Sequence, residues 1–334
     1  MKKILIFSNG EQIGDGILKL VLIYQLRDRF PNYQIYWATD KIKTVYDSVL
    51  NKFVRNYIDV IWSQSNLSPY FWNNISDKYE LENHEFDIII DTQKTVLRTI
   101  ALKRIKTKQF ISATANWIFS DVKPKIGHQK NSFYVRNILQ MFDLVSTFRG
   151  EKKFKLEIPE NIKSMLSKIF INNERYIGFA PGAGQKEKIW SLKNYLIVAE
   201  YFEKKGLKPV FFLGPSEKNL KSEILKFNSK IIFPEEILKD ISGVEIVMAS
   251  TQFLSCAIGN DSGTSNMLAT NLCPLLKLCG PTNAQKFIND DFENIHFISS
   301  RDYGGKDMSL IPVEIVIEKI NKLLEPRSLS NKPI

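Results

Sequence analysis

The sequence predicts an α/β protein made of two successive halves, each built on a mainly parallel sheet. Three observations carry that prediction. Strand-like apolar segments alternate with helix-like ones almost throughout, the pattern left by parallel strands joined through crossover helices. The 334 residues suffice for about two domains at ~150 residues each. Between Arg149 and Glu160 the composition turns charged and core-poor and runs through Pro159, which marks a linker. The predicted boundaries are a first domain over 1–155, a second over 156–325, and a loose polar tail over 326–334.

Taken in order, Ile4–Phe7, Gln34–Trp37, Tyr57–Trp62, Asp87–Ile90 and Gln109–Ser112 read as the strands of the first half. Its expected helices are Gly16–Phe30, Thr44–Asn51, Val96–Lys106 and Ser132–Ser146. The helix after Asp15 is apolar on nearly every side through Ile17, Leu18, Leu20, Val21, Leu22 and Ile23, so it should be buried. In the second half the expected strands are Tyr176–Ala180, Pro209–Leu213, Lys230–Phe233, Phe253–Ile258 and Pro274–Leu278. Helices are expected at Leu192–Lys205, Ser216–Phe227, Val244–Ser250, Thr264–Thr270 and Pro312–Leu324. Two such halves across a hinge point to a ligand in a cleft between them, at the carboxyl ends of the strands.

Composition narrows the class of function. Hydrophobic content of 44% and charged content of 25% describe an ordinary globular protein. A chain this long buries enough surface to be stable without disulfide or metal. Cys256, Cys273 and Cys279 lie in apolar contexts and read as buried free thiols of a reducing compartment. Their spacing matches no common zinc pattern, and His84, His128 and His296 are scattered, so no metal site is expected. No apolar run reaches the ~18 residues of a membrane span. The apolar start Met1–Phe7 stops at Ser8-Asn9-Gly10-Glu11, too early for a signal peptide of ~7–15 apolar residues, and reads as a buried strand in a cytoplasmic protein. The net charge of +10 comes without a nucleic-acid-binding motif, so nucleic acid is not an expected partner. A lysine-rich surface alone explains that charge, as does a phosphorylated or membrane-anchored substrate met at the anionic inner face of the cytoplasmic membrane.

Three segments carry candidate chemistry. Ile258 to Ala269 reads Ile-Gly-Asn-Asp-Ser-Gly-Thr-Ser-Asn-Met-Leu-Ala: an apolar strand entering Gly259, Asp261, Ser262, Gly263 and Thr264, then a helix start. Free N–H groups and two hydroxyls at such a turn attract an anion, and Gly263 allows close approach. Asp261 would repel bare phosphate and suits sugar hydroxyls beside it, so the turn fits a nucleotide-sugar. The second segment runs from a strand into the small-residue loop Pro181, Gly182, Ala183, Gly184, then Lys186, Lys188 and Trp190. Backbone amides and a reaching lysine there suit a departing diphosphate; a solvated lysine cluster beside a core Trp190 is the plain alternative. The third, Ser8 to Gly16, has three glycines in seven residues and is expected to pack closely on a ligand, but is neither a dinucleotide fingerprint nor a P-loop. Asp15 fits a general base there, or simply an N-cap. Glu217 could bond ribose hydroxyls or serve a helix start. Asp91, Gln93 and Arg98 could line an acceptor side with Gly14, Asp91 also suiting a helix start. Gly280-Pro281-Thr282 closes the same pocket or is a turn, and His128 reads as a surface residue.

Together these motifs resemble glycosyltransferase family 9, the lipopolysaccharide heptosyltransferases. The resemblance rests on Ile13-Gly-Asp-Gly16, Phe86-Asp-Ile-Ile-Ile-Asp-Thr-Gln93, Pro181-Gly-Ala183 with Lys188-Ile-Trp190, Gly259 to Ala269, Gly280-Pro-Thr282 and the segment Met308 to Glu314. It implies a GT-B fold, two Rossmann-like domains facing a central cleft, with the donor held by the second. It also implies inverting, metal-independent transfer of a sugar, heptose in the family, from a nucleotide-sugar co-substrate to a lipid-linked saccharide or oligosaccharide. No cofactor is implied. Residue by residue, Asp15 matches the family's catalytic carboxylate, Lys188 the donor-phosphate lysine and Asp261 the acid on donor hydroxyls. Ser262, Gly263 and Thr264 match the turn under the diphosphate. Asn266 stands where the family usually has histidine, Ser191 where a proline is common, and Arg98 aligns only approximately with the acceptor-side cation. Two other readings remain: a catalytically inactive homologue, to which the missing histidine points, and a nicotinamide-dependent oxidoreductase with Asp40 as its ribose acid.

Overall fold

Strand β1 (Lys2–Phe7) buries Ile4, Leu5, Ile6 and Phe7 completely. That pattern needs cover on both faces and belongs to a central parallel strand. The computed structural model describes residues 1–65, 81–125, 134–146, 156–271, 273–281 and 294–325. The chain divides into two compact units, Met1–Phe154 and Lys155–Ile334. Of the expected linker only 156–160 falls among the described residues; His128, Thr282 and the tail 326–334 lie outside them.

In the first unit β1 leads into α1 (Ile13–Leu18) and α2 (Leu20–Arg29), then β2 (Tyr33–Ala38), α3 (Asn51–Val54) and β3 (Val60–Trp62). There follow β4 (Glu85–Asp91), α4 (Val96–Leu102), β5 (Lys106–Ser112) and α5 (Tyr134–Val145). The strands run β3-β2-β1-β4-β5, every pair parallel. The winding reverses between β1 and β4, where Phe7 pairs with Asp91, so the loops leaving these strands diverge and frame a crevice.

The second unit repeats the design. Its elements are α6 (Glu160–Leu166), β6 (Arg175–Ala180), α7 (Leu192–Lys204), β7 (Leu207–Phe211), α8 (Leu220–Phe227) and α9 (Pro234–Ile237). They continue with α10 (Gly243–Ser250), β8 (Leu254–Asn260), α11 (Gly263–Leu268), β9 (Leu275–Cys279), β10 (Ile295–Ser299) and α12 (Val313–Leu324). The order is β10-β9-β8-β6-β7, again all parallel, and the reversal falls between β6 and β8. Trp190, Tyr195, Phe179 and Phe211 are fully buried in its core. The three cysteines are free and buried.

Where the structure departs from the sequence reading, local chemistry gives the reason. The helix expected over Gly16–Phe30 begins earlier, at Ile13, and breaks at Lys19. The Lys19 ammonium is buried, donating to Ser8 Oγ at 2.8 Å and pairing with Glu11 at 3.1 Å. Thr44–Asn51 forms a 3-10 turn and only then α3, because Ser48 Oγ bonds Thr44 O and Asn51 Nδ2 bonds Tyr46 O, bonds that compete with helix. Lys230–Phe233 makes one bridge, Val210 to Ile232, and no strand; Pro234 follows and starts α9 instead. Helices α6 and α9 and the edge strand β10 were not anticipated.

Candidate active site

Asn260 closes β8 and is fully buried. Its Oδ1 accepts from Trp190 N at 3.1 Å and Tyr195 OH at 3.0 Å, while its Nδ2 donates to Pro181 O at 2.6 Å. One side chain thus fixes the β6 loop and the β8 turn against each other. Gly259 is glycine for the fold's sake: a Cβ there would collide with Ser265 Oγ and Ala180.

The next residue carries the charge. Asp261 Oδ2 lies 3.3 Å from Lys188 Nζ, and Oδ1 lies 3.3 Å from Lys277 Nζ. Lys277 faces Gly259 in the β8–β9 register. It also donates to Asn266 Oδ1 at 2.7 Å. Burial pulls the Lys277 ammonium below the usual lysine value, opposed first by Asp261. Burial, then Asp261, pushes the Cys279 thiol up to about 12, so it stays neutral. Ser262 caps α11 through Ser265 N, and the space over Gly263 is open. Because α11 has only six residues, few peptide dipoles align behind this turn. The positive charge comes chiefly from the two lysines, a different emphasis from the sequence reading.

On the β6 side, Pro181 and Gly182 are buried, Ala183 is half-buried and Gly184 is exposed, with open space around it. The 3-10 turn Lys186–Lys188 follows, and Trp190 Nε1 donates to Ile311 O at 3.1 Å. Trp190 is core, as the plain reading held, but Lys188 is ion-paired and not merely solvated. The Glu217 carboxylate packs over both Gly182 and Gly214 and would have to move to admit a Cβ at either. Gly280 packs on Met308, and Arg301 donates to Pro281 O at 2.8 Å.

In the first unit, Asp15 is exposed in the first turn of α1. The N-cap is Gln12, so the N-cap reading of Asp15 is corrected; a carboxylate one turn in still favours the helix. Glu11, its side chain fully buried, accepts from Ser8 and Lys19 and pins the loop. Two of the three glycines here answer to the fold: Gly10 has φ +76°, and Gly16 packs against Val45 while its carbonyl accepts from Tyr46 OH.

Asp91 is also fully buried. Oδ1 accepts from Gln93 N at 2.9 Å, and Oδ2 from Thr99 Oγ1 at 2.6 Å and Ser112 Oγ at 2.9 Å. Burial raises its carboxyl above the ordinary value, and these bonds offset part of the rise. Gln93 lines a cavity of about 410 Å³ together with Asp91, Lys94, Thr95 and Asn137. A second of about 390 Å³ is lined by Lys94, Asn137, Gln140 and residues 113–117. Ala115, Asn116 and Trp117 there have φ of 48°, 55° and 66°, a left-handed run that costs energy in non-glycine residues. Arg98 lines neither cavity; its guanidinium pairs with Asp40, which also accepts from Ser65 Oγ. The carboxylate proposed for a ribose in the oxidoreductase reading is thus engaged. Among the described residues no group of three or more His, Cys, Asp or Glu side chains is gathered.

Sequence reasoning named Lys188 and Asp261, which the structure pairs, but not the packing of Glu217 over Gly182. It missed Asn260, Lys277, Lys19 and Glu11. A lysine inside the apolar run Leu275–Cys279 was the available signal, since a buried ammonium requires partners.

Comparison with known proteins gives concordant results. The model of glycosyltransferase family 9 (heptosyltransferase) matches residues 77–300. The lipopolysaccharide core heptosyltransferase OpsX of Haemophilus influenzae is 18% identical over 324 residues, covering 94% of this chain and 90% of that protein. A family 9 glycosyl transferase from Veillonella parvula superposes with a TM-score of 0.71 at 20% identity, over 97% of both chains. E. coli heptosyltransferase WaaC with ADP gives a TM-score of 0.68 at 14% identity, over 96% of this chain and 99% of the other.

Proposed function

This chain belongs to glycosyltransferase family 9 and has the GT-B fold, and from that premise we propose an inverting, metal-independent transfer of a sugar, heptose in the first instance, from a nucleotide-sugar to a lipopolysaccharide-type saccharide. The observation that carries the reading is the Lys188–Asp261 pair beside the small-residue loop of β6. Lys188 meets the diphosphate, helped by the N–H groups of Ser262–Thr264, which as first-turn donors have no intrahelical acceptor. Asp261 holds hydroxyls of the donor sugar. Ala183 and Gly184 give the diphosphate close access, and Glu217, packed over Gly182 of the same donor loop, holds the ribose.

On the acceptor side, Asp15 removes the proton from the attacking hydroxyl, which displaces the nucleoside diphosphate from the opposite face of the anomeric carbon. One such displacement inverts the anomeric configuration. Lysine charge at the leaving group does what a divalent cation would otherwise do. Gly14 and Gln93 contact the acceptor, and Arg98, whose charge Asp40 meets, is the approximate match to the family's acceptor-side cation. The net charge of +10 suits a cytoplasmic enzyme that works on a lipid-linked acceptor at the anionic inner membrane face. A lipid anchor on the acceptor removes any need for the enzyme itself to enter the bilayer, and among the described residues no helix is long and apolar enough to cross one.

The test is a thermal-shift screen with ADP-, UDP-, GDP- and CDP-sugars in EDTA. One donor should stabilise the protein, by roughly 2.7 kcal/mol at a hundredfold excess over Kd. With a saccharide acceptor it should release nucleotide and give the inverted anomer by NMR. No shift with any donor, or turnover that requires an added divalent cation, would overturn the proposal.

A further inference from the structure

Lys277 is a lysine in the middle of a buried parallel strand, with 2% of its side chain exposed. It is too deep to touch a ligand itself. Its ammonium faces inward to Asp261 Oδ1 and Asn266 Oδ1, while Lys188, with 25% of its side chain exposed, holds the other oxygen of Asp261. One carboxylate therefore faces two ammonium groups, and the three side chains together carry +1. With Lys188 as the sole cation, Asp261 would cancel its charge, and a diphosphate arriving at this turn would meet no net attraction.

Building on the reading of Lys188 as the donor-phosphate lysine, we propose that Lys277 is a positioning residue for donor binding: it neutralises Asp261 from beneath and so frees the charge of Lys188 for the diphosphate. The arrangement is built into the fold. Lys277 stands opposite Gly259, whose missing side chain leaves that face of the sheet to Ser265 and α11, and Asn266 on α11 fixes the ammonium at 2.7 Å. Cys279, the next residue on the same face of β9, is neutral and adds no charge.

Charge counting makes the test quantitative. The local sum is +1 in the wild type, 0 in Lys277→Met, +2 in Asp261→Asn and +1 in the double variant. ADP, GDP, UDP and CDP are titrated by calorimetry, and the tightest is carried through the set. Lys277→Met should bind it roughly tenfold more weakly than wild type. Asp261→Asn should bind at least as tightly as wild type, and Asp261→Asn/Lys277→Met should return to within about threefold of it. A merely structural role for Lys277 would leave the double variant as weak as Lys277→Met, and that result overturns the proposal. So does wild-type affinity in Lys277→Met while Lys188→Met binds weakly, an outcome that leaves the donor reading standing. Absence of binding to all four nucleotides by the wild type overturns the donor reading itself. Should Lys277→Met fail to fold, the double variant, which has no unpaired charge at either position, decides the matter against Asp261→Asn.

Discussion

Asp91 and Asp261 stand at equivalent places in the two units, each at or just past the carboxyl end of the strand beside the winding reversal and each followed by a helix. Their surroundings differ. Asp91 is sealed, and its partners are two hydroxyls and one backbone N–H. Asp261 keeps 10% of its side chain exposed, and its partners are two ammonium groups. The first is a lock that ties β4, α4 and β5 together. The second is a counter-ion placed where a ligand can compete for its partners. Carboxylate at a strand end is thus no sign of function until its partners are known.

The largest expected effect comes from a third carboxylate, the one proposed as the base. Asp15 is exposed on a turn held from beneath by Lys19 and Glu11. Asp15→Asn should lower kcat by ~10²–10⁴ while donor affinity, measured by calorimetry, stays within about twofold. Retained turnover would remove Asp15 from the mechanism and leave the first unit without a base.

Next in size is a stability effect that separates the two equivalent aspartates by charge alone. Asp261→Asn keeps the shape but leaves Lys277 buried without its counter-charge, and uncompensated buried charge is costly. A loss of about 2 kcal/mol is expected in the second unit, read as faster hydrogen exchange in β8 and β9. Asp91→Asn should cost about 1 kcal/mol or less in β4 and β5. Its amide still accepts from Gln93 N, and the Thr99 and Ser112 hydroxyls can turn to accept from the new NH₂ group. Equal losses in the two variants would erase the distinction between lock and counter-ion.

The contrast also explains what could be read from the chain itself. Strand–turn–helix order, the Asp261 turn and Lys188 were legible because each is a local pattern a few residues long. The partners were not. Lys277 is 16 residues beyond Asp261 and 89 beyond Lys188, and Asp40 is 58 before Arg98, distances that only the sheet register closes. Lys19 and Lys277 were visible as lysines in apolar runs, yet nothing nearby named the acid each would meet. In the first unit the spacing alone did not show that Gly16 serves packing against Val45. In the second unit Gly182 is shaped by Glu217, a contact between two loops that no spacing encodes.

The smallest effect is a pH dependence confined to the lock. Burial raises the Asp91 carboxyl in the folded protein above its ordinary value of 3.8. Between the unfolded and folded values the native state holds more protons than the unfolded one, so stability falls as pH rises. The favourable contribution of protonated Asp91 is complete below about pH 3.8 and is lost as pH climbs through the raised native value. Asp91→Asn cannot ionise and should flatten that part of the profile, so the wild-type-minus-variant difference in exchange protection of β4 should shrink toward alkaline pH. A difference growing with pH at β4 would mean that Asp91 works as a charge after all, and the two turns would then follow one rule.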